Sequence, residues 1–260
     1  MVKILPSLRP SRTSREPFCG AESLGAHCEG PFIAPDRKGC HSPEVVCGTD
    51  GLCDLTTLAK YYGESNIGLE ASRETTKGAN KGVISPVKMI TLAPELPGAL
   101  ETIQHLSSHG VMISIGHTRA NYEQTVAAVK AGANMITHLF NAMNPIHHRD
   151  PGPFGTITLA KDRANFEHLS PKERPYFGII ADGIHLHPAS VSLAYSAHPR
   201  GLVLVTDAVM FMGCEDGVYD WNNGQKVEKI GSKVTLVGTD TIAGRYDYAG
   251  CSFEVDVPSG

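Results

Sequence analysis

The chain has 260 residues, 41% of them apolar and 19% charged, with a net charge of −4, enough for one large domain or two small ones around a buried core. That balance excludes a disordered polyelectrolyte and leaves no electrostatic footprint for nucleic acid. No apolar run reaches the roughly eighteen residues that a membrane span needs.

The first eighteen residues carry Lys3, Arg9, Arg12 and Arg15 against the single acid Glu16. They lack the apolar stretch of a secretory signal, and by composition alone they resemble a transit peptide. A strand is expected over 24–28, then a polar, glycine-bearing loop over 42–82 holding one short helix near 55–61. Strands follow at 87–92 and 111–115, separated by a helix at 99–109. A helix at 121–131 shows Tyr122, Val126 and Val129 at helical spacing, and Gly132 ends it. Further strands fall at 134–138, 176–181 and 202–206, with a helix at 188–198 before the last. Segments 226–230 and 233–237 flank Gly231-Ser232 and read as a β-hairpin. After Gly244 the pattern dissolves into a polar tail.

The six main strands are continuous apolar runs, as in sheets covered on both faces. Their alternation with helices predicts a parallel α/β fold, either an open doubly wound sheet or a (β/α)₈ TIM-type barrel. Polar residues decide between the two. Glu29, Glu95, His117, His138, Asp182 and Asp207 all stand at or just past the carboxyl ends of expected strands, the rim where a barrel builds its chemistry. An open sheet would be expected to show a glycine fingerprint, and neither GxGxxG nor a Walker loop occurs. The barrel is favoured.

Seven cysteines include no CxxC pair, and Cys19, Cys28, Cys40, Cys47 and Cys53 crowd the first fifth of the chain at irregular spacing. This reads as reduced thiols of a cytoplasmic protein rather than a disulfide framework or structural zinc site. Twelve histidines point instead to metal or acid/base chemistry. Glu29, His117 and His138 together make a carboxylate/imidazole/imidazole shell for one divalent cation, a set that suits Zn²⁺ best. A single histidine near a strand end is usually just a hydrogen-bonded residue; three ligands at equivalent strand ends carry more weight. Asp207 closes an apolar run expected to be buried, where a carboxylate needs a cation or partner and could serve as acid and base. Asp also favours helix N-caps. The loop His147-His148-Arg149-Asp150 is dense in anion donors.

Several blocks resemble the N-acetylglucosamine-6-phosphate deacetylase family of the amidohydrolase superfamily. They are HCEGPFIAPDRKGCH (27–41), ITLAPE (90–95), IGHT (115–118), THLFNAMNPIHHRDPG (137–152), ADGIH (181–185), LVTDA (204–208) and TIAG (241–244). The HHRDPG version looks like the eukaryotic branch. The resemblance implies hydrolysis of the acetamide of N-acetylglucosamine 6-phosphate to glucosamine 6-phosphate and acetate. It also implies Glu29, His117 and His138 as metal ligands, Asp207 as catalytic acid/base, and a homodimer for the full-length family member. His41 then matches a histidine near the amide and sugar hydroxyls, and Asn141 and Ala142 match substrate contacts. Arg149 and His185 match phosphate contacts, one of them supplied across the dimer. Cys40, Ile242, Ala243 and Gly244 match further substrate-lining positions.

Mapped onto that fold, the six strands are the third to eighth of the barrel. The first two strands and an accessory β-sandwich are missing, so the expected fold is an incomplete barrel, truncated at both ends. Residues 1–244 then form a partial hydrolase barrel, 245–260 an unmatched tail, and the basic opening segment corresponds to family interior. Cys28 replaces the usual aliphatic residue, and Arg245 stands at a serine position. An incomplete barrel leaves its third and eighth strands as edges. Two other readings are a non-catalytic remnant that at most binds sugar phosphate, and an amidohydrolase acting on a cyclic amide. The latter normally carries an HxH pair on its first strand and a bridging lysine, neither of which is visible.

Overall fold

The computed structural model describes residues 2–10, 22–46, 53–68, 85–159, 169–211, 213–221 and 224–245. The expected tail beyond Arg245 and the second half of the basic opening segment, residues 11–18, lie outside this set.

Six strands, β1 (Ala26–Glu29), β2 (Val87–Leu92), β3 (Met112–Ile115), β4 (Met135–Ile136), β5 (Tyr176–Ile180) and β6 (Leu202–Val205), form one sheet in sequence order. Every neighbouring pair is parallel. Helices α1 (Leu55–Tyr62), α2 (Ala99–Ser108), α3 (Tyr122–Ala131), the single turn α4 (Gly152–Gly155) and α5 (Pro188–Ala197) make up the helical part. Parallel strands cannot be joined by tight turns, so each return passes through a crossover that covers the sheet. Asp54 caps α1 by accepting from Thr57 N at 2.7 Å. Asn121 and Gln124 form a reciprocal capping box on α3.

Successive side chains alternate between the two faces of the sheet, and the faces differ. Cys28, Ile90, Leu92, Ile113 and Ile115 join Leu58, Tyr62, Ile103, Leu106 and Val126 of α1–α3 in the larger core. Ile136, Phe177 and Ile179 pack with Val191 and Ala194 of α5 in a second. The opposite face carries polar groups in contact with one another. His27 Nε2 lies 2.7 Å from Thr91 Oγ1, Thr91 Oγ1 lies 2.7 Å from Thr137 Oγ1, and Ser114 Oγ lies 2.6 Å from Thr137 Oγ1. A sheet apolar on both faces was expected. Instead, hydroxyls that satisfy one another line the inner side, which removes most of their burial penalty.

The sheet is curled. A cavity of about 480 Å³ is lined at once by His27 and Glu29 from β1 and by Leu204, Val205 and Asp207 from and after β6, the two ends of the strand order. Those ends are edges among the described residues. Leu24, just before β1, is 77% exposed and Leu204 of β6 is 69% exposed. The expectation that the run before Asp207 is buried is therefore corrected. With no strand paired on its far side, β6 leaves Val203 and Leu204 exposed.

A second, antiparallel sheet has the order β10-β9-β8-β7. Its strands are β7 (Gly217–Asp220), β8 (Lys226–Ile230), β9 (Lys233–Leu236) and β10 (Ile242–Arg245). The β8–β9 hairpin is the expected one, with Ile230 facing Lys233 across Gly231-Ser232. Strands β7 and β10 were not expected. Phe211, Val227, Val234, Leu236 and Ala243 form its core, packed against Cys40, Val209 and Trp221.

Gly116, between β3 and His117, sits where the inner face is tightest. A Cβ there would lie 2.7 Å from Thr137 Cβ and 2.9 Å from Thr91 Cγ2, with no flexible side-chain end to yield. Gly116→Ala is expected to cost about 1–3 kcal/mol through overpacking, read as a lower denaturant midpoint with unchanged slope. A midpoint equal to the parent's would show that the two strands are not held this closely.

Candidate active site

Glu29 ends β1, while His117 and His138 follow β3 and β4, so residues 88 and 109 positions apart from Glu29 meet at one rim. His117 Nε2 lies 2.8 Å and His138 Nε2 3.0 Å from Glu29 Oε1, and the two Nε2 atoms are 3.1 Å apart. Among the described residues this is the one cluster of three or more metal-ligating side chains that converge within 4.8 Å.

Backbone conformation aims these groups. The described non-glycine residues of positive φ are His117 (+48°), His138 (+27°), Phe140 (+78°), Ala142 (+50°) and Asp207 (+49°). Left-handed backbone costs a side-chain-bearing residue of order 1–3 kcal/mol and persists only where its surroundings impose it. Four of these five residues are candidates from the sequence. His117, His138 and Asp207 each stand two residues past a strand, where the turn out of the sheet keeps the side chain at the mouth, and Ala142 follows in the loop after β4.

Proton accounting tests whether the triad fits a cation. His117 Nδ1 lies 2.6 Å from the carbonyl oxygen of Arg37, which can only accept, so Nδ1 carries the proton. Nε2 of neutral His117 is then a bare lone pair facing both a carboxylate oxygen and another imidazole nitrogen. Three electron-rich atoms this close require a positive charge among them. A carbonyl fixing the outer nitrogen of a ligand imidazole is the usual second layer of a metal site, and a Glu/His/His donor set fits a divalent cation. In the metal-free chain a proton takes over part of that role. Burial lowers the affinity of His138 for a proton, but Glu29 outweighs it and the imidazole titrates above its ordinary value. Burial likewise pushes the Glu29 carboxyl up, but the His117 and His138 imidazoles, which donate to it when their Nε2 atoms carry protons, overcome that and hold it far below the carboxylate range.

The triad opens on a cleft of about 560 Å³. Asp207, Cys40, His41, Asn141, Ala142, His185, Ile242, Ala243 and Gly244 all line it with Glu29, His117 and His138. The His41 ring stands edge-on to that of His117, centroids 5.0 Å apart. Burial, then the neighbouring His117, depress its proton affinity and keep it neutral. Burial, then Asp207, raises the Cys40 thiol to about 11, so it is not a thiolate, and its Sγ faces the Ala243 carbonyl at 3.6 Å. Asn141 Oδ1 is buried without a hydrogen-bond partner among the described residues. Gly244 (φ +143°) permits close approach of β10, since a Cβ there would lie 2.5 Å from Val209 Cγ1 and 3.2 Å from the Asp207 carbonyl.

His185 is held by Asp182, with Nδ1 2.6 Å from Oδ2, while Oδ1 accepts from Ile184 N and His185 N, each at 2.8 Å. Burial pushes the Asp182 carboxyl up, but these donors outweigh it and hold it below its ordinary value.

Two expectations fare differently. Arg149 is exposed and lies outside the residues lining this cleft. Its loop closes on itself through paired backbone bonds between His147 and Asp150, and Asp150 caps α3 at Tyr122 N. Glu95 at the end of β2 serves the backbone instead of the cleft, accepting from Thr118 Oγ1 and from Arg119 N at 2.6 Å. Sequence reasoning missed Asp36, Arg37, Trp221 and Asp240, which also line the cleft. Trp221 donates from Nε1 to the Cys40 carbonyl at 3.4 Å. It is the chain's single tryptophan, in a stretch with no periodicity, so only its rarity marked it.

The described residues form a curled, six-stranded parallel α/β sheet with a Glu/His/His cluster and an aspartate on its carboxyl rim, an arrangement of the class on which barrel proteins build metal-assisted chemistry. Comparison with known proteins narrows that class, although no family model matches the chain. The chain is homologous to the N-acetylglucosamine-6-phosphate deacetylases. It is 40% identical over 242 residues to that enzyme from Caenorhabditis elegans, covering 93% of this chain and 51% of the relative. It is 40% identical over 228 residues to the human one, covering 86% and 48%. It superposes on an aspartate-to-alanine variant of N-acetyl-D-glucosamine-6-phosphate deacetylase from Mycobacterium smegmatis, in complex with N-acetyl-D-glucosamine-6-phosphate. There the TM-score is 0.63 and the identity 32%, over 85% of this chain and 49% of that one. The chain thus spans about half the length of the relatives it matches.

The ionic cluster sets a pH dependence in the metal-free chain. Stabilisation from the raised His138 is full below the free imidazole value of about 6.5 and fades as pH rises through the raised one. Stabilisation from the lowered Glu29 is full above about 4.3 and fades as pH falls through the lowered one. With chelator present, the parent should lose more stability between pH 6 and pH 8 (about one unit either side of neutrality) than Glu29→Gln, as measured by urea unfolding. Burial lowers the proton affinity of His27 and His41, which pushes the other way, and loss of the Glu29 charge lowers both further, so Glu29→Gln falls by still less. Parallel curves for the two proteins would contradict the proposed coupling.

Proposed function

We propose that this chain carries the catalytic half of an N-acetylglucosamine-6-phosphate deacetylase, hydrolysing the acetamide to glucosamine 6-phosphate and acetate in the cytoplasm. The convergence of Glu29, His117 and His138 on one point, in a cleft that also holds Asp207, carries this reading. Homology to deacetylases supports it.

Glu29, His117 and His138 would hold one divalent ion, Zn²⁺ by the chemistry of the donor set. Such an ion supplies Lewis-acid polarisation of a carbonyl and activation of water at neutral pH. The chain's own residues do the rest. Asp207 accepts a proton from the attacking water and returns it to the amide nitrogen as the C–N bond breaks, so the carboxylate is restored when acetate and amine leave. His41, kept neutral by its surroundings, offers a ring N–H to the amide oxygen or a sugar hydroxyl. The unpartnered Oδ1 of Asn141 and the backbone of Ala142 receive the sugar, with Cys40 and Ile242–Gly244 forming the opposite wall. His185 meets the phosphate. Arg149, exposed and outside its own chain's cleft, serves the phosphate of a second copy in a homodimer. On this reading β1–β6 are the third to eighth strands of an eight-stranded barrel.

One observation favours a second reading. Asp207 is exposed and the adjoining face of β6 is open, and a site open to water loses electrostatic leverage on the reaction. A chain with that defect would bind a sugar phosphate without turning it over.

Acetate release from N-acetylglucosamine 6-phosphate by the purified zinc-loaded chain separates the two. Turnover is expected, and Asp207→Asn should lower it at least ~10²-fold. Binding of the sugar phosphate with no acetate formed would establish the second reading instead. Arg149→Ala should chiefly raise KM, by the equivalent of roughly 1.5–3 kcal/mol for a lost charge-assisted bond. An unchanged preference for phosphorylated over plain sugar would remove Arg149 from the phosphate site.

A further inference from the structure

Asp182 is used by nothing in the mechanism above, yet it is one of the most fully engaged carboxylates in the molecule. Its Oδ1 accepts two backbone N–H groups, from Ile184 and His185, each at 2.8 Å, and its Oδ2 accepts a hydrogen bond from Nδ1 of His185 at 2.6 Å. Both side chains are nearly buried, with Asp182 10% and His185 8% exposed. The backbone bonds fix the carboxylate, the carboxylate fixes the ring, and the ring lines the cleft. Because Nδ1 is committed to Asp182, Nε2 is the nitrogen His185 presents.

This commitment has a chemical consequence. A neutral His185 with its proton on Nδ1 shows the cleft a lone pair, which repels an anion. Only the doubly protonated ring donates from Nε2, and the carboxylate behind it supplies the counter-charge that such a ring needs. A charge-assisted bond of this kind is about twice as strong as a neutral one.

We propose that Asp182 is the positioning residue of the phosphate site: it holds His185 with Nε2 toward the cleft and makes the ring a cationic donor when a phosphate monoester binds. The proposal rests on the deacetylase reading for the identity of the ligand, and not for the geometry of the pair. Asp182→Asn keeps an oxygen for the two backbone donors, but its amide must donate to Nδ1. The ring is thereby driven to the opposite tautomer, with a proton on Nε2 alone and no compensating charge.

Nitrogen-15 spectra of His185 in the metal-loaded 260-residue chain, assigned with His185→Gln and titrated with inorganic phosphate, test this directly. In the parent, Nδ1 should be protonated before phosphate is added and both nitrogens after it. In Asp182→Asn, Nε2 alone should be protonated throughout. A parent ring lacking the Nδ1 proton, or His185 signals that phosphate does not move, would overturn the proposal whether or not the chain releases acetate. On turnover, the ratio of kcat/KM for the phosphorylated over the plain sugar should fall about tenfold in Asp182→Ala and less in Asp182→Asn. Equal losses on both sugars would reduce Asp182 to a structural turn and refute the assignment. Absence of all acetate release would count against the deacetylase reading alone, since the phosphate titration is read without turnover.

Discussion

The site is organised by an electrostatic requirement. A carboxylate oxygen and two imidazole nitrogens lie at mutual distances of 2.8, 3.0 and 3.1 Å, and in neutral His117 the facing nitrogen is a bare lone pair, because the other ring nitrogen donates to the Arg37 carbonyl behind it. Such an assembly repels itself unless positive charge sits among its members. The energy to hold it comes from the sheet: three parallel strand ends buried against helices on one side and stitched by hydroxyls on the other.

The rest of the cleft follows from that frame. Left-handed backbone at His117, His138 and Ala142 is tolerated because β3 and β4, which lead into those turns, are anchored in the cores, whereas Asp207 follows the half-open β6. The antiparallel sheet adds the far wall. Gly244 lets β10 approach Asp207, and Trp221 and Ala243 bond to or face Cys40, which ties that wall to the loop carrying His41. The open side of β6 is the weak part of the enclosure.

Much of this was legible beforehand, and the reasons are physical. Long apolar runs such as 87–92 and 176–180 have little choice but a buried parallel strand, and the helices at 99–108 and 122–131 are marked by spacing and capping residues. The rim residues were legible because Glu29, His117, His138 and Asp207 recur at one end of every unit that bears chemistry. The short β4 was overestimated because His138 turns out of the sheet at φ +27°, a conformation that no residue type announces. The polar inner face was missed because a lone Thr91 or Ser114 in an apolar run gives no sign that it meets another hydroxyl 46 or 23 positions away. Strands β7 and β10 were missed because each is only four residues long and is held by its sheet partners rather than marked by an apolar pattern. Arg149 shows the opposite case, a motif plain in the chain whose side chain stays outside this cleft.

X-ray absorption spectroscopy at the zinc edge, on the chain loaded with one equivalent of zinc, reads the central requirement most directly. A single ordered site is expected, with two imidazole nitrogens and a carboxylate oxygen bound at about 2.0–2.2 Å, lost together in His117→Ala/His138→Ala. A shell containing sulfur, or one indistinguishable from hydrated zinc in solution, would contradict it.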